Sequence, residues 1–173
     1  MNSKRWYRAA KYSAYIVVML LLYILQTTPG FLTVFGVKPN FVIPAAVCIA
    51  MHEGEFIGAL YGTLAGGLCD LGGYTLAGFN AIILLAACTA VGLLVIYLLR
   101  PSVVNFVLLL SAVLLARGLL DFLLNYVMWG YAHVWMVFVY DILPGVIYAV
   151  AASPLVYYLF TAIHTWFEER MEV

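Results

Sequence analysis

The chain has 173 residues, of which 66% are hydrophobic and only 9% are charged, and its eight basic and eight acidic side chains give no net charge. Soluble domains are about half apolar and a quarter charged, so this composition predicts an integral membrane protein and excludes a soluble domain within the chain. The zero net charge also leaves no basic surface for nucleic acid, and we predict no such partner.

The N-terminal segment, residues 1–11, is basic and carries no acid; its charged side chains are Lys4, Arg5, Arg8 and Lys11. An apolar run follows at about residues 12–25. A basic start and a short apolar core resemble a signal peptide, but Gln26-Thr27-Thr28-Pro29 offers no small-residue cleavage site and more apolar segments come after it. We therefore predict an uncleaved first transmembrane helix with its N-terminus in the cytoplasm.

The next segment is interrupted twice. Pro29-Gly30 ends the first helix, and Lys38-Pro39-Asn40 breaks the chain again, with Asn40 well suited to cap the following helix. That helix, residues 41–51, would be about 16 Å long, well short of a bilayer. Two alternatives are open: the helix is buried among others, or residues 31–51 form a broken or re-entrant span.

A turn is predicted at residues 52–55, and a third helix then runs to about Leu71. Glycine recurs every fourth residue in this stretch, and the next step of four lands on Asp70. The repeated residues are Gly54, Gly58, Gly62 and Gly66. In lipid, small residues at this spacing let a second helix approach backbone to backbone. The row winds around its helix, so the partner crosses at an angle or different glycines meet different neighbours. We predict close packing within one bundle; a binding groove and a protein interface are the alternatives.

Further apolar stretches predict helices at residues 81–99, 103–127 and 141–163. Pro144 falls near the first turn of the last helix, and Pro154 lies inside it, where a kink is expected. The aromatic-rich segment 128–140 is typical of a membrane–water interface.

These elements predict an all-α integral membrane protein, a six-transmembrane-helix bundle in one domain at residues 12–163, with a short cytoplasmic tail at residues 164–173. Both termini then lie inside a multi-pass protein of the cytoplasmic membrane. The cytoplasmic basic residues would be Lys4, Arg5, Arg8, Lys11, Arg100 and Arg170, against only Lys38 in an external loop. That bias follows the positive-inside rule; five spans, the alternative, would place the C-terminus outside.

Charged residues in or at the ends of the predicted spans are Asp70, Arg117, Asp121 and Asp141. A central charge costs roughly 2.5–3.5 kcal/mol to insert, so unpaired ones are not expected. The predicted topology places the three acids in the outer half. We predict a polar cluster there in which Arg117 bridges two or more acids. An internal clamp is the first interpretation, with a ligand or ion pocket and a partner contact as alternatives.

No catalytic set can be assembled from this sequence, so we predict a protein that is not an enzyme and needs no cofactor or metal. The cysteines lie in apolar runs and are interpreted as packing residues; they are Cys48, Cys69 and Cys88. The histidines fall in loops or at helix ends and are interpreted as solvated; they are His52, His133 and His164.

Several short motifs occur in a specific order: Leu25-Gln26, Lys38-Pro39-Asn40, the glycine-spaced helix ending at Asp70-Leu71, Gly78-Phe79-Asn80, Leu143-Pro144 and Ser153-Pro154-Leu155. In this order and spacing they resemble the MreD family of bacterial rod shape-determining membrane proteins, over about residues 25–157.

The resemblance implies a six-helix bundle like the substrate-binding (S) subunits of energy-coupling factor transporters. It implies a scaffold for cell elongation that binds MreC, which has one membrane span and a large external domain. Indirect partners would be RodA, a class B penicillin-binding protein and MreB, with the bilayer around the bundle. The alternative function is a vitamin-binding subunit of an energy-coupling factor transporter, whose ligand would enter from the outer side near the predicted acidic cluster.

Overall fold

The computed structural model describes residues 2–28, 40–72, 78–128, 136 and 138–172. Over these residues the chain is all-helical, with six α-helices and no strand, as predicted. The helices are α1 (Asn2–Thr27), α2 (Val42–Glu53), α3 (Glu55–Gly72), α4 (Phe79–Tyr97), α5 (Val103–Phe122) and α6 (Leu143–Glu172). Lys38, Pro39 and His133, which the sequence analysis named, lie outside the described residues.

Four helices, α1, α4, α5 and α6, are long and apolar enough to cross a membrane. Their outward faces carry large apolar side chains, among them Leu21, Ile82 and Leu108, which are 58%, 71% and 63% exposed. A soluble protein rarely exposes apolar surface on this scale, whereas lipid tails would cover it at no cost. The fold is therefore consistent with a membrane protein.

The short helix α2 lies at the centre of the bundle and contacts all five other helices. Each of its residues from Val42 to Met51 is buried. Its first backbone N–H groups are bound by side chains: Phe41 N donates to Gln26 Oε1 at 2.9 Å, and Ile43 N donates to Asn40 Oδ1 at 3.2 Å. This part of the segment is thus a helix buried among others, which does not need to reach across the bilayer by itself. The alternative of a broken or re-entrant span over residues 31–51 depends on residues 31–39, which lie outside the described residues.

Helices α3 and α4 are packed backbone to backbone through the glycine row. A methyl group on Gly62 would lie 2.5 Å from Leu84 O, and one on Gly66 would overlap Ala81 Cα. Gly58 faces both α4 and α2, since a methyl group there would lie 2.6 Å from Ala50 Cβ. These three glycines therefore pack against other helices within the bundle.

Gly54 has a different role from the other glycines of the row. It ends α2 rather than lying inside α3, and its φ of +86° belongs to the left-handed region that favours glycine. Gly54 therefore forms the turn between the two helices, within the turn predicted at residues 52–55, although it was counted with the glycine row of the third helix. Gly92 of α4 completes the close packing, because a methyl group there would lie 2.5 Å from Glu55 N.

The two terminal helices extend beyond their predicted ends. Helix α1 begins at Asn2 instead of Tyr12, and α6 continues to Glu172, so residues 164–172 are helical rather than a separate tail. Pro144 lies in the first turn of α6, as predicted. Helix α6 runs on through Pro154, whose missing N–H leaves the carbonyl of Val150 without its helical donor. The buried Ser153 hydroxyl donates to that carbonyl at 2.7 Å, which explains the Ser-Pro pair.

Candidate functional site

The helices alternate in direction, so their polar ends meet in two groups at opposite ends of the bundle. One group, here called the Asp70 network, consists of Gln26, Asn40, Asp70, Asn80 and Arg117 with their backbone partners. The other, here called the Lys11 cluster, consists of Lys11, Tyr15, Glu53, His164 and Glu168. The first group was predicted in part from the sequence, and the second was not.

Asp70 caps the start of α4. Its carboxylate accepts hydrogen bonds from the backbone N–H groups of Gly78 at 3.0 Å, Asn80 at 3.1 Å and Ala81 at 3.3 Å. The Asn80 side-chain amide donates a fourth bond at 2.8 Å. Free N–H groups at a helix N-terminus attract a negative charge, so the last turn of α3 holds the first turn of α4. Asn80 itself lies one residue inside α4, and its side chain binds the Asp70 cap.

Arg117 reaches Asp70 through an amide rather than directly. Its Nε donates to Asn80 Oδ1 at 2.6 Å, and Asn80 is only 2% exposed. Among the described residues, no ion pair joins Arg117 to Asp70 or Asp121. The predicted direct bridge from Arg117 to the acids was therefore wrong, because the buried amide of Asn80 lies between the opposite charges. Asp141 lies in the π-helical segment Phe138–Ile142 before α6, and its side chain is outside the described set.

A cavity of about 200 Å³ lies beside this network, between α5 and the start of α6. Its polar lining comes from Asn40, Arg117 and Asp121. Asn40 also donates to Cys69 Sγ at 3.7 Å, next to Asp70 in the chain. The structure thus brings Gln26 of α1, Asn40 just before α2 and Asp70 of α3 to one end of the bundle.

Replacing Asp70 with alanine is expected to lower the free energy of unfolding by about 2–3 kcal/mol. The loss combines an N-cap, about 1 kcal/mol, with the loss of the charge-assisted hydrogen bond that the carboxylate accepts from the buried Asn80 amide. Thermal unfolding in mild detergent measures it. Glu169→Ala, which removes an exposed carboxylate from α6, is the control. Equal melting temperatures for the two variants would contradict the capping role.

The Lys11 cluster is a set of charges at the opposite end of the bundle. Lys11 Nζ lies 2.5 Å from Glu53 Oε1 and 2.6 Å from Glu168 Oε1. The lysine and Glu53 side chains are only 3% and 9% exposed, whereas that of Glu168 is 44% exposed. A buried charge must be paired, and this lysine binds one carboxylate inside the bundle and one at its edge.

Two further groups bind the same oxygen of Glu53. Tyr15 donates its hydroxyl to Oε1 at 3.0 Å, and His164 Nδ1 lies 3.0 Å from it. Glu53 therefore joins α1, α2 and α6. The other described histidine, His52, is held between the Cys48 carbonyl at 2.9 Å and the Thr161 hydroxyl at 3.4 Å. The prediction of solvated histidines was wrong for both, since each is part of the packed bundle.

Metal-ligating atoms also converge here, since Glu53, His164 and Glu168 each offer one atom within 4.8 Å of the others. The ammonium of Lys11, however, already lies between the two carboxylates, where a bound cation would have to be. The geometry is therefore that of an internal ion pair with hydrogen-bonded neighbours.

One feature of the sequence indicates this cluster. Lys4, Arg8 and Lys11 fall on one face of α1, and Lys11 is already inside an apolar helix, where a charge needs a partner. Its partners could not be identified in this way, because Glu168 is 157 residues away in the chain.

A helical bundle with four apolar helices long enough to span a membrane, and with polar groups gathered at its ends, is consistent with a helical membrane protein. The chain matches no protein-family model, no curated protein and no solved structure. The likeness to transporter subunits therefore has no support from solved structures.

Proposed function

We propose that this chain is a scaffold of the bacterial cell-elongation machinery, of the MreD type. It binds the membrane span of MreC and thereby helps to position RodA and a class B penicillin-binding protein along MreB filaments. The proposal makes it a binding protein of the membrane, without catalysis.

One observation carries the proposal. The motif residues Gln26, Asn40 and Asp70, on which the resemblance depends, come together at one end of the bundle and bind the first turns of α2 and α4. Polar groups used in this way fix the relative positions of helices. This supports a structural role, since a scaffold needs a rigid surface and no reacting group.

The charge distribution supports a cytoplasmic-membrane topology with both termini inside. The start of α1 and the end of α6 lie at the same end of the bundle, where Lys11 meets Glu168. Lys4, Arg5 and Arg8 lie at this end, and the described residues of the Asp70 network contribute only Arg117 at the other. Such a bias supports a topology with the basic end in the cytoplasm.

The open face of α3 is the surface proposed for the span of MreC. Gly67 has no atom within 4 Å of the position of an added methyl group, unlike Gly66 beside it. Thr63 lies one turn earlier, and its hydroxyl is already bonded to Ala59 O at 2.8 Å. Leu60 and Leu71 flank this notch and are 60% and 79% exposed. Small residues between large apolar ones allow a second helix to approach closely in lipid.

Affinity purification in mild detergent from native membranes tests the function. The expected result is co-purification of a single-span protein with a large external domain, together with cell-wall synthases. Gly67→Leu fills the notch and should reduce recovery of that partner at least about tenfold, if close packing contributes 1.4 kcal/mol or more. Ala90→Leu adds the same side chain to another exposed small position and is the control. Equal recovery of the partner by both variants would exclude the α3 face as its binding surface. Absence of the partner from the purification would contradict the proposed scaffold function.

The cavity beside Arg117 favours a second candidate, a substrate-binding subunit of an energy-coupling factor transporter. Its volume of about 200 Å³ is below the range of roughly 300–1,000 Å³ usual for small-molecule sites. A vitamin would therefore need the cavity to widen. Mass spectrometry of small molecules in the same purification distinguishes the two functions: a retained vitamin with paired ATPases supports the transporter.

A further inference from the structure

A second cavity lies next to the Lys11 cluster, at the end of the bundle where the N-terminus of α1 meets the C-terminus of α6. Its volume is about 360 Å³. The lining residues are Lys4, Arg8, Lys11, Tyr12, Glu53, Glu168 and Met171. No residue of this cavity belongs to the motifs on which the proposed function rests.

The charges of this cavity differ with depth. The buried Lys11 is neutralised by the carboxylates of Glu53 and Glu168, which together exceed its charge by one. Lys4 and Arg8 lie nearer the surface, are exposed, and form no ion pair with any described residue. The outer part of the cavity is therefore cationic, and the described residues supply no ion-pair partner to Lys4 or Arg8.

Lys4, Arg8 and Lys11 are spaced four and three residues apart, which places them on one face of α1, whereas Arg5 is about 100° away on the same helix. Arg8 thus faces the cavity and Arg5 does not line it. A specific site would therefore depend on Arg8 more than on Arg5, whereas a general attraction of the basic N-terminus to a charged surface would depend on both equally.

The cavity also lies at the depth of lipid headgroups. Trp6 on α1 and Trp166 on α6 are 68% and 46% exposed, and each is two residues from a lining residue of the cavity. Exposed tryptophans are typical of the membrane–water interface. Arg170 stacks on Trp166, with its guanidinium carbon 3.6 Å from the ring centroid, and adds another positive charge nearby.

We infer that this cavity binds the phosphate of an anionic phospholipid headgroup, with Lys4 and Arg8 as the phosphate ligands. Arginine and lysine bind phosphate oxygens through charge-assisted hydrogen bonds, and basic pockets between membrane helices suit anionic headgroups. The acyl chains would extend along the exposed apolar face of α1. The ion pair between Lys11 and Glu53 closes the inner side of the cavity. The positive charge of Lys11 there offsets the repulsion between the Glu53 carboxylate and the phosphate.

Native mass spectrometry of the purified protein, titrated with phosphatidylglycerol, phosphatidylcholine or inorganic phosphate, tests the inference. The expected result is saturable binding of phosphatidylglycerol that Arg8→Gln weakens about tenfold more than Arg5→Gln does, because only Arg8 loses a charge-assisted hydrogen bond. Both variants remove one exposed positive charge, so general attraction to the lipid changes equally. Neither residue packs in the core, and a melting curve of each variant checks the fold.

Three results would overturn the inference. Equal weakening by the two variants would reduce the site to nonspecific attraction. Equal affinity for phosphatidylcholine would remove the role of headgroup charge. Inorganic phosphate binding as tightly as phosphatidylglycerol would indicate a site for a free anion instead of a lipid. None of these outcomes depends on whether MreC is the partner of the chain.

Discussion

Gly66→Ala is expected to destabilise the bundle by about 3 kcal/mol, the upper part of the usual range for overpacking. The new methyl group would overlap the carbonyl oxygen of Asn80 and the backbone of Ala81. Backbone atoms cannot turn aside as a flexible side chain can, so α3 and α4 would have to separate. The same shift would pull the first turn of α4 away from the Asp70 carboxylate that caps it.

The adjacent glycine supplies the control for this experiment. Gly67→Ala adds the same methyl group one residue further along α3, where nothing lies within 4 Å. Alanine favours a helix over glycine by about 1 kcal/mol, so this variant should melt at the same temperature as the parent or slightly above it. Thermal unfolding of the two variants in one detergent measures the difference. A similar loss of stability in both would contradict the role of close packing, because only the methyl group on Gly66 would meet the backbone of α4.

Lys11→Met is expected to cost about 3–5 kcal/mol of stability, since it leaves the buried Glu53 carboxylate without its cation. His164 and Tyr15 would still bind Glu53, but neither carries a fixed positive charge. Lys4→Met, which removes an exposed lysine from the same face of α1, should change the melting temperature little.

A double-mutant cycle separates the ion pair from other effects of the substitution. Replacing both charges, Lys11→Met with Glu53→Gln, removes the unpaired carboxylate and should recover a large part of the loss, because neutral groups of similar volume often replace a buried pair without penalty. If the loss of stability in the double variant equals the sum of the losses in the two single variants, Lys11 and Glu53 act independently.

The sequence predicted those features that follow from local spacing. The four-residue glycine period predicted close helix packing, and it is found at Gly58, Gly62 and Gly66, but the period could not name α4 as the partner. The position of Asn40 before an apolar run predicted a cap, and its side chain accepts from Ile43 N. Asp70 was recognised as a charge that needs a partner; its partners turned out to be backbone N–H groups only eight to eleven residues ahead.

Features that depend on distant contacts were not predictable from one sequence. The eleven-residue apolar run allowed both a buried helix and a re-entrant span, because length does not tell how many neighbours surround a helix. The bond from Arg117 to Asn80 replaced the expected salt bridge, since only the folded chain places an amide between the charges. The pairing of Lys11 with Glu168 joins the two terminal helices, which each extend about ten residues beyond the predicted apolar cores.

The burial of α2 has a consequence for how the protein is made. The ribosome delivers this helix before α3, α4, α5 and α6, which supply most of its surroundings. With 12 residues it is too short to span the roughly 30 Å hydrocarbon layer alone. Its polar ends therefore have no stable depth in an empty bilayer. In a bilayer, α2 would therefore become stable only once the later helices surround it, so the innermost helix would be among the last to reach its final position.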